Sequence, residues 1–198
     1  MPASRMRIET GSRFLRMLGR MVLFACVFGL QAWHANAADD AATLEHRIKA
    51  AYLYQFAGYV EWPPDSFAQP DTPVTIAVLG AESLAAELNQ VVTGRTVGGR
   101  TVVVKRVKAG EPLAGVHILF IGRAERARLV PLAQASQSRA ILTVTESDGA
   151  LAQGSMINFV LVDRRVRFEV ALDPVEKSGL KLSSRLLAVA QQVRTEAP

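Results

Sequence analysis

HILFIG, residues 117–122, decides the architecture. Four apolar residues between a histidine and a glycine are too few for a helix. They are apolar on both faces, which marks a strand covered from both sides of its sheet. Working outward, VTIAVLG at 74–80 and TVVVKRV at 101–107 precede it, and AILTVT at 140–145 follows it. Helical patterns at Glu82–Val91 and Ala124–Gln134 alternate with these strands, as in a largely parallel sheet with helices on both faces. The end of the chain departs from this pattern. INFVLV at 157–162 is apolar on both faces, whereas Arg165–Val170 alternates Arg165, Arg167 and Glu169 with Val166, Phe168 and Val170. Only Asp163-Arg164 separates the two segments, so they form a hairpin, with a half-exposed strand near the sheet edge. A last helix is expected over Ser184–Val193.

Toward the other end, Thr43 is placed to cap a helix running to about Glu61, where Pro63-Pro64 stops it. Leu44, Ile48, Tyr52 and Phe56 recur along it at helical spacing. No repeat or Pro/Gly-rich linker divides residues 43–195. The expected fold is therefore an α/β, single-domain three-layer sandwich: a mostly parallel mixed sheet with a C-terminal antiparallel hairpin.

Residues 1–37 read as a secretory signal peptide and 38–198 as the domain. Five arginines (Arg5, Arg7, Arg13, Arg16, Arg20) precede an apolar run, Met21–Trp33, and Ala35-Asn36-Ala37 supplies small residues before a cleavage point. Retention as an anchor is an alternative, although the run is shorter than the roughly 20 residues of a spanning helix. A lipid on Cys26 is another, although Phe24 is bulky where that motif prefers a small residue. The whole chain holds 23 Lys+Arg against 18 Asp+Glu. The leader takes five Arg and one Glu (Glu9), which leaves 18 against 17, so the basic character belongs largely to the leader. A nearly neutral exported domain has no field for steering nucleic acid. The only cysteine, Cys26, leaves with the leader, and with it any disulfide, thiol nucleophile or thiolate ligand.

The chemical motifs are weak as catalytic signals. Ser178-Gly179-Leu180-Lys181 fits the S-x-x-K pattern of serine acylases, but the S-D-N and K-T-G elements such enzymes need are missing. The plainer account is a turn in which Gly179 takes a positive φ. Lys181, Ser183, Ser184 and Arg185 open the expected last helix; they fit either an anion site at its N-terminus or a simple serine cap. Gly80, Gly122, Gly94, Gly98 and Gly99 match neither dinucleotide nor phosphate-loop spacing. His46 and His117 are not paired at metal-ligand spacing, so no metal site is expected. Glu146 and Asp148 follow the fourth strand, where open α/β sheets bind ligands, but read as a solvated turn. Tyr52, Tyr54, Phe56, Tyr59 and Trp62 crowd one segment; most suit core packing, while Tyr59, Glu61 and Trp62 at its end are the candidates for partner contact.

Two stretches together resemble a known family. IKAAYLYQFAGYVEWP at 48–63, then INF at 157–159, RFEV at 167–170 and GLKLSSRLL at 179–187, resemble the opening and closing motifs of the YfiR-like family of exported proteins. The resemblance spans essentially the whole chain after the leader. It implies a non-enzymatic periplasmic repressor without cofactor. Such a protein binds the periplasmic sensor domain of an inner-membrane diguanylate cyclase, lowers cyclic-di-GMP, restrains biofilm formation, and is titrated by an OmpA-like outer-membrane lipoprotein. Sensor kinases are also neighbours of the family, so a periplasmic small-ligand or anion-binding protein serving a kinase is the alternative reading. A homodimer is left open. The paired cysteines of some members are missing after the leader, so redox sensing does not carry over, and the usual Asp-Gly hairpin turn is Asp163-Arg164.

Overall fold

A computed structural model describes residues 40–195. The expected leader and Cys26 lie outside the described residues. No described helix is long and apolar enough to cross a membrane.

Residues 40–59 form helix α1, followed in chain order by β1 (Val60–Glu61), β2 (Val74–Leu79), α2 (Glu82–Val92), β3 (Thr96–Val97), β4 (Arg100–Val107), β5 (Ile118–Ile121), α3 (Leu129–Gln137), β6 (Leu142–Thr145), β7 (Ile157–Val162), β8 (Arg165–Ala171), α4 (Leu172–Lys177), β9 (Lys181–Leu182), α5 (Ser184–Ala188) and β10 (Gln192–Arg194). Eight strands make one mixed sheet in the order β10-β8-β7-β6-β5-β2-β4-β3. Its centre, β4, β2, β5, β6 and β7, is parallel, and β8 turns back antiparallel on β7.

Alternation along the central strands feeds two cores. Ile76, Val78, Ile118, Phe120, Leu142 and Val144 point to the face covered by α1 and α2. Ala77, Leu79, Leu119 and Ile121 point to the other, under Leu113, Val116 and Leu132 of α3. The first face holds an aromatic cluster in which Phe56 meets Phe168 edge-on at 5.1 Å and Phe159 stacked at 5.8 Å.

Where a ligand usually enters such a sheet, backbone fills the space. The chain leaves β2 toward β4 on one side and later returns to β5 on the other, so the reversal of strand order falls at the ends of β2 and β5. There Gly122 donates its N–H to Leu79 O at 2.8 Å. A Cβ on Gly122 would lie 2.4 Å from Gly80 O, and one on Gly80 2.7 Å from Glu125 Cγ. The two glycines serve close packing of consecutive turns.

Four local expectations are corrected. Helix α1 already includes residues 40–43, so Thr43 is not its cap. Leu44 and Ile48 are 55% and 36% exposed; the buried side of α1 is Lys49, Ala50, Leu53, Phe56 and Ala57. The expected helix Ala124–Gln134 divides into a kinked 3-10 turn, Arg123–Arg128, and α3, with Glu125 leaving helical geometry. The last helix stops at Ala188 because the outer edge of β8 offers backbone partners: Gln191 donates to Phe168 O at 2.8 Å, and β10 continues parallel to β8.

Candidate functional site

The two motif-bearing ends of the chain meet. Helix α1 runs out at residue 59, and β1 pairs antiparallel with β9, setting Val60 opposite Leu182 and Glu61 opposite Lys181. Ser183 extends the pairing by donating its N–H to Tyr59 O at 2.9 Å. The candidate partner residues Tyr59, Glu61 and Trp62 thus share one surface with the candidate ligand residues Lys181, Ser183, Ser184 and Arg185. Tyr59, Glu61, Lys181, Ser184 and Arg185 are exposed, while Trp62 and Ser183 are half-buried.

Each side chain of this neck has a local cause. Gly179 has φ +76° and sets the turn out of α4, with Pro63 Cγ 3.4 Å from where its Cβ would be. Ser178 is buried and donates its hydroxyl to Val175 O at 2.6 Å, a turn contact that leaves no nucleophile at the acylase-like tetrapeptide. Ser183 caps α5, its hydroxyl accepting from Leu186 N at 3.3 Å. That helix has five residues. Trp62 packs edge-on against Phe67 at 6.1 Å and His117 at 6.0 Å, so its ring anchors the loop after β1.

His117 belongs to that anchor. Its Nδ1 accepts from Thr75 N at 3.1 Å, and its Nε2 faces Ser66 O at 3.1 Å, which fixes a neutral tautomer with the proton on Nε2. The ring stacks on Phe67 at 4.3 Å, and the Arg100 guanidinium lies over the Phe67 ring at 4.0 Å. Burial pushes the imidazole pKa below its usual value and the charge of Arg100 adds to this, against an opposing contribution from the bond to Ser66 O.

A second polar centre joins Glu146, expected in a solvated turn, to Lys49, which no motif singled out. Lys49, 3% exposed, donates to Glu45 one helical turn away and to Glu146 Oε2 at 2.5 Å. Glu146 also accepts from Arg123 N at 3.2 Å through Oε1, and its backbone oxygen takes a bond from Arg123 Nη2 at 3.3 Å. Glu146 is therefore the counter-ion of a buried cation, whereas Asp148 beyond it is exposed. Asn158, of the INF motif, sets this loop: its Oδ1 accepts from Thr145 Oγ1 at 2.8 Å and from Ser147 N at 3.1 Å. The available signal was a lysine interrupting the apolar side of α1. A cavity of about 360 Å³ opens beside the pair. Among the described residues no group of His, Cys, Asp and Glu is arranged to hold a metal.

Fold and site together describe an α/β protein that offers a charged and aromatic surface braced from beneath. A family model described as YfiR/HmsC-like matches residues 46–191, and the chain belongs to that family. The match includes α1 from its second turn and ends before β10, so it takes in both strands of the neck. The family is one of regulatory proteins in diguanylate cyclase signalling.

Proposed function

We propose that this protein is a non-enzymatic periplasmic regulator that occupies the periplasmic sensor domain of an inner-membrane diguanylate cyclase and lowers cyclic-di-GMP. The neck formed by β1 and β9 is its docking surface, with Tyr59 and Glu61 as direct contacts and Trp62 as the residue that holds them. The observation that carries this reading is the pairing of Glu61 with Lys181, because it joins the two diagnostic ends of a regulatory family into one exposed patch. Partly exposed aromatics beside charges of both signs are the usual makings of an interface anchor. Export by the leader brings the protein to the compartment of such a sensor domain, and an OmpA-like lipoprotein competing for the same neck would release the cyclase.

The test is capture of the periplasmic sensor domain by the purified protein, together with cyclic-di-GMP measured in a deletion strain. Recovery of a cyclase sensor and a raised nucleotide level are expected. Recovery of a kinase sensor alone, with cyclic-di-GMP unchanged, would refute the assignment.

A further inference from the structure

Away from the neck, α3, α4 and β10 surround a cavity of about 400 Å³, within the roughly 300–1,000 Å³ of small-molecule sites. Its apolar lining comes from Val130 and Ala133 of α3, Leu151 of the turn after β6 and Pro174 of α4, with the neutral amides of Gln134, Gln137 and Gln153 between them. Parallel pairing with β8 puts Arg194 of β10 beside Ala171, at the mouth of α4, and into this lining. The Nε–H of Arg194 is buried and, among the described residues, meets no acceptor. A buried donor without a partner costs roughly 1–3 kcal/mol, more for a charged group, so it marks a place made for an acceptor. Asp173 also lines the cavity, but its carboxylate is held by Lys177 at 2.7 Å. Among the described residues this leaves the Arg194 Nε–H open to an acceptor on a bound molecule.

We infer that this cavity binds a short-chain aliphatic monocarboxylate, with the carboxylate on Arg194 and the tail between Val130, Ala133, Leu151 and Pro174. A guanidinium matches a carboxylate in charge and geometry, and the bond between them is charge-assisted. The lining carries no aromatic ring to stack a planar ligand. Because Asp173 already has its cation, an α-ammonium group would find no free counter-ion and would face Arg194. Free amino acids are therefore selected against. The inference is independent of the docking surface, since none of the neck residues lines this cavity.

Calorimetric titration of the protein with hexanoate, hexanol, hexylammonium and leucine tests it. Hexanoate is expected to bind and to raise the melting temperature, while the other three do neither. Arg194→Gln should weaken hexanoate at least tenfold. Val130→Phe, at an exposed rim position that does not endanger folding, should weaken it at least fivefold by filling the mouth. No hexanoate binding to the unaltered protein, or equal binding by both variants, would overturn the proposal. Leucine binding as tightly as hexanoate would overturn the charge assignment. Should Arg194→Gln fail to fold, the rim variant decides alone.

Discussion

Lys49 and His117 show how two buried polar residues take different charge states. Lys49 keeps two carboxylates, one from its own helix and one 97 residues further along the chain. Removing one member of such a buried group strands the others; breaking a buried pair costs roughly 3–5 kcal/mol, whereas replacing both partners by apolar groups is often near neutral. Lys49→Met is therefore expected to lose about 3 kcal/mol, and Lys49→Met with Glu146→Leu to recover more than half of it, read as denaturation midpoints in guanidinium chloride. His117 solves its burial by staying neutral. Its pKa lies below the ordinary 6.5 in the folded protein, so between those two values the unfolded chain binds the proton and the folded chain does not. Stability from this group is complete above about pH 6.5. It falls as pH drops below that value and levels off beneath the folded pKa. Unfolding free energies from pH 7.5 to 5 should decline less steeply in His117→Gln than in the unaltered protein. Equal slopes would remove His117 from the acid response.

At the level of elements, the hairpin between β7 and β8 carries the clearest local conflict. Val162 pairs with Arg165, leaving Asp163-Arg164 as a two-residue turn with φ +49° and +59°. This is the primed turn that matches strand twist, usually filled by Asp-Gly or Asn-Gly. An arginine there pays for a left-handed backbone, about 1–2 kcal/mol, part of which glycine would return as unfolded-state entropy. Arg164→Gly should therefore stabilise by about 0.5 kcal/mol and Arg164→Val destabilise by more than 1 kcal/mol, measured by the same denaturation. The turn, like the central strands, was legible because short apolar runs ending in glycine and a two-residue polar break each allow few structures. Other elements were decided by distant neighbours. Leu186, Leu187 and Val189 satisfy helical spacing, yet the chain becomes β10 because β8 has an open edge waiting for it. Leu44 and Ile48 satisfy the same spacing along α1, yet the sheet receives the neighbouring stripe that includes Lys49. The neck was legible as two separate motifs, but their pairing depends on the whole sheet lying between them, and no local pattern encodes it. Arg194 was hidden for the same reason, lying just beyond a helix expected to end at Val193.

Over the whole molecule, α1 links what holds the fold to what meets a partner. Lys49 and Tyr59 are ten residues apart on one helix, about 15 Å along its axis. Effects at sites so far apart, with no shared partner, are normally additive, so stability and recognition should separate. Tyr59→Ala with Lys181→Glu changes one side chain that is 36% exposed and one that is exposed, neither in the core, so a cost of about 1 kcal/mol is expected. The same pair removes the aromatic contact and places two acidic side chains, Glu61 and residue 181, opposite each other on the docking surface. Capture of the sensor domain should fall at least tenfold, and cyclic-di-GMP should rise to the level of the deletion strain, while the melting temperature falls by no more than about 4 °C. Lys49→Met should do the reverse at a temperature where it remains folded, losing stability but still capturing the sensor. A double neck variant that represses normally would move the docking surface elsewhere on the molecule. Loss of capture by folded Lys49→Met would instead show that the buried ion pair sets the angle at which α1 delivers Tyr59 and Trp62 to the partner.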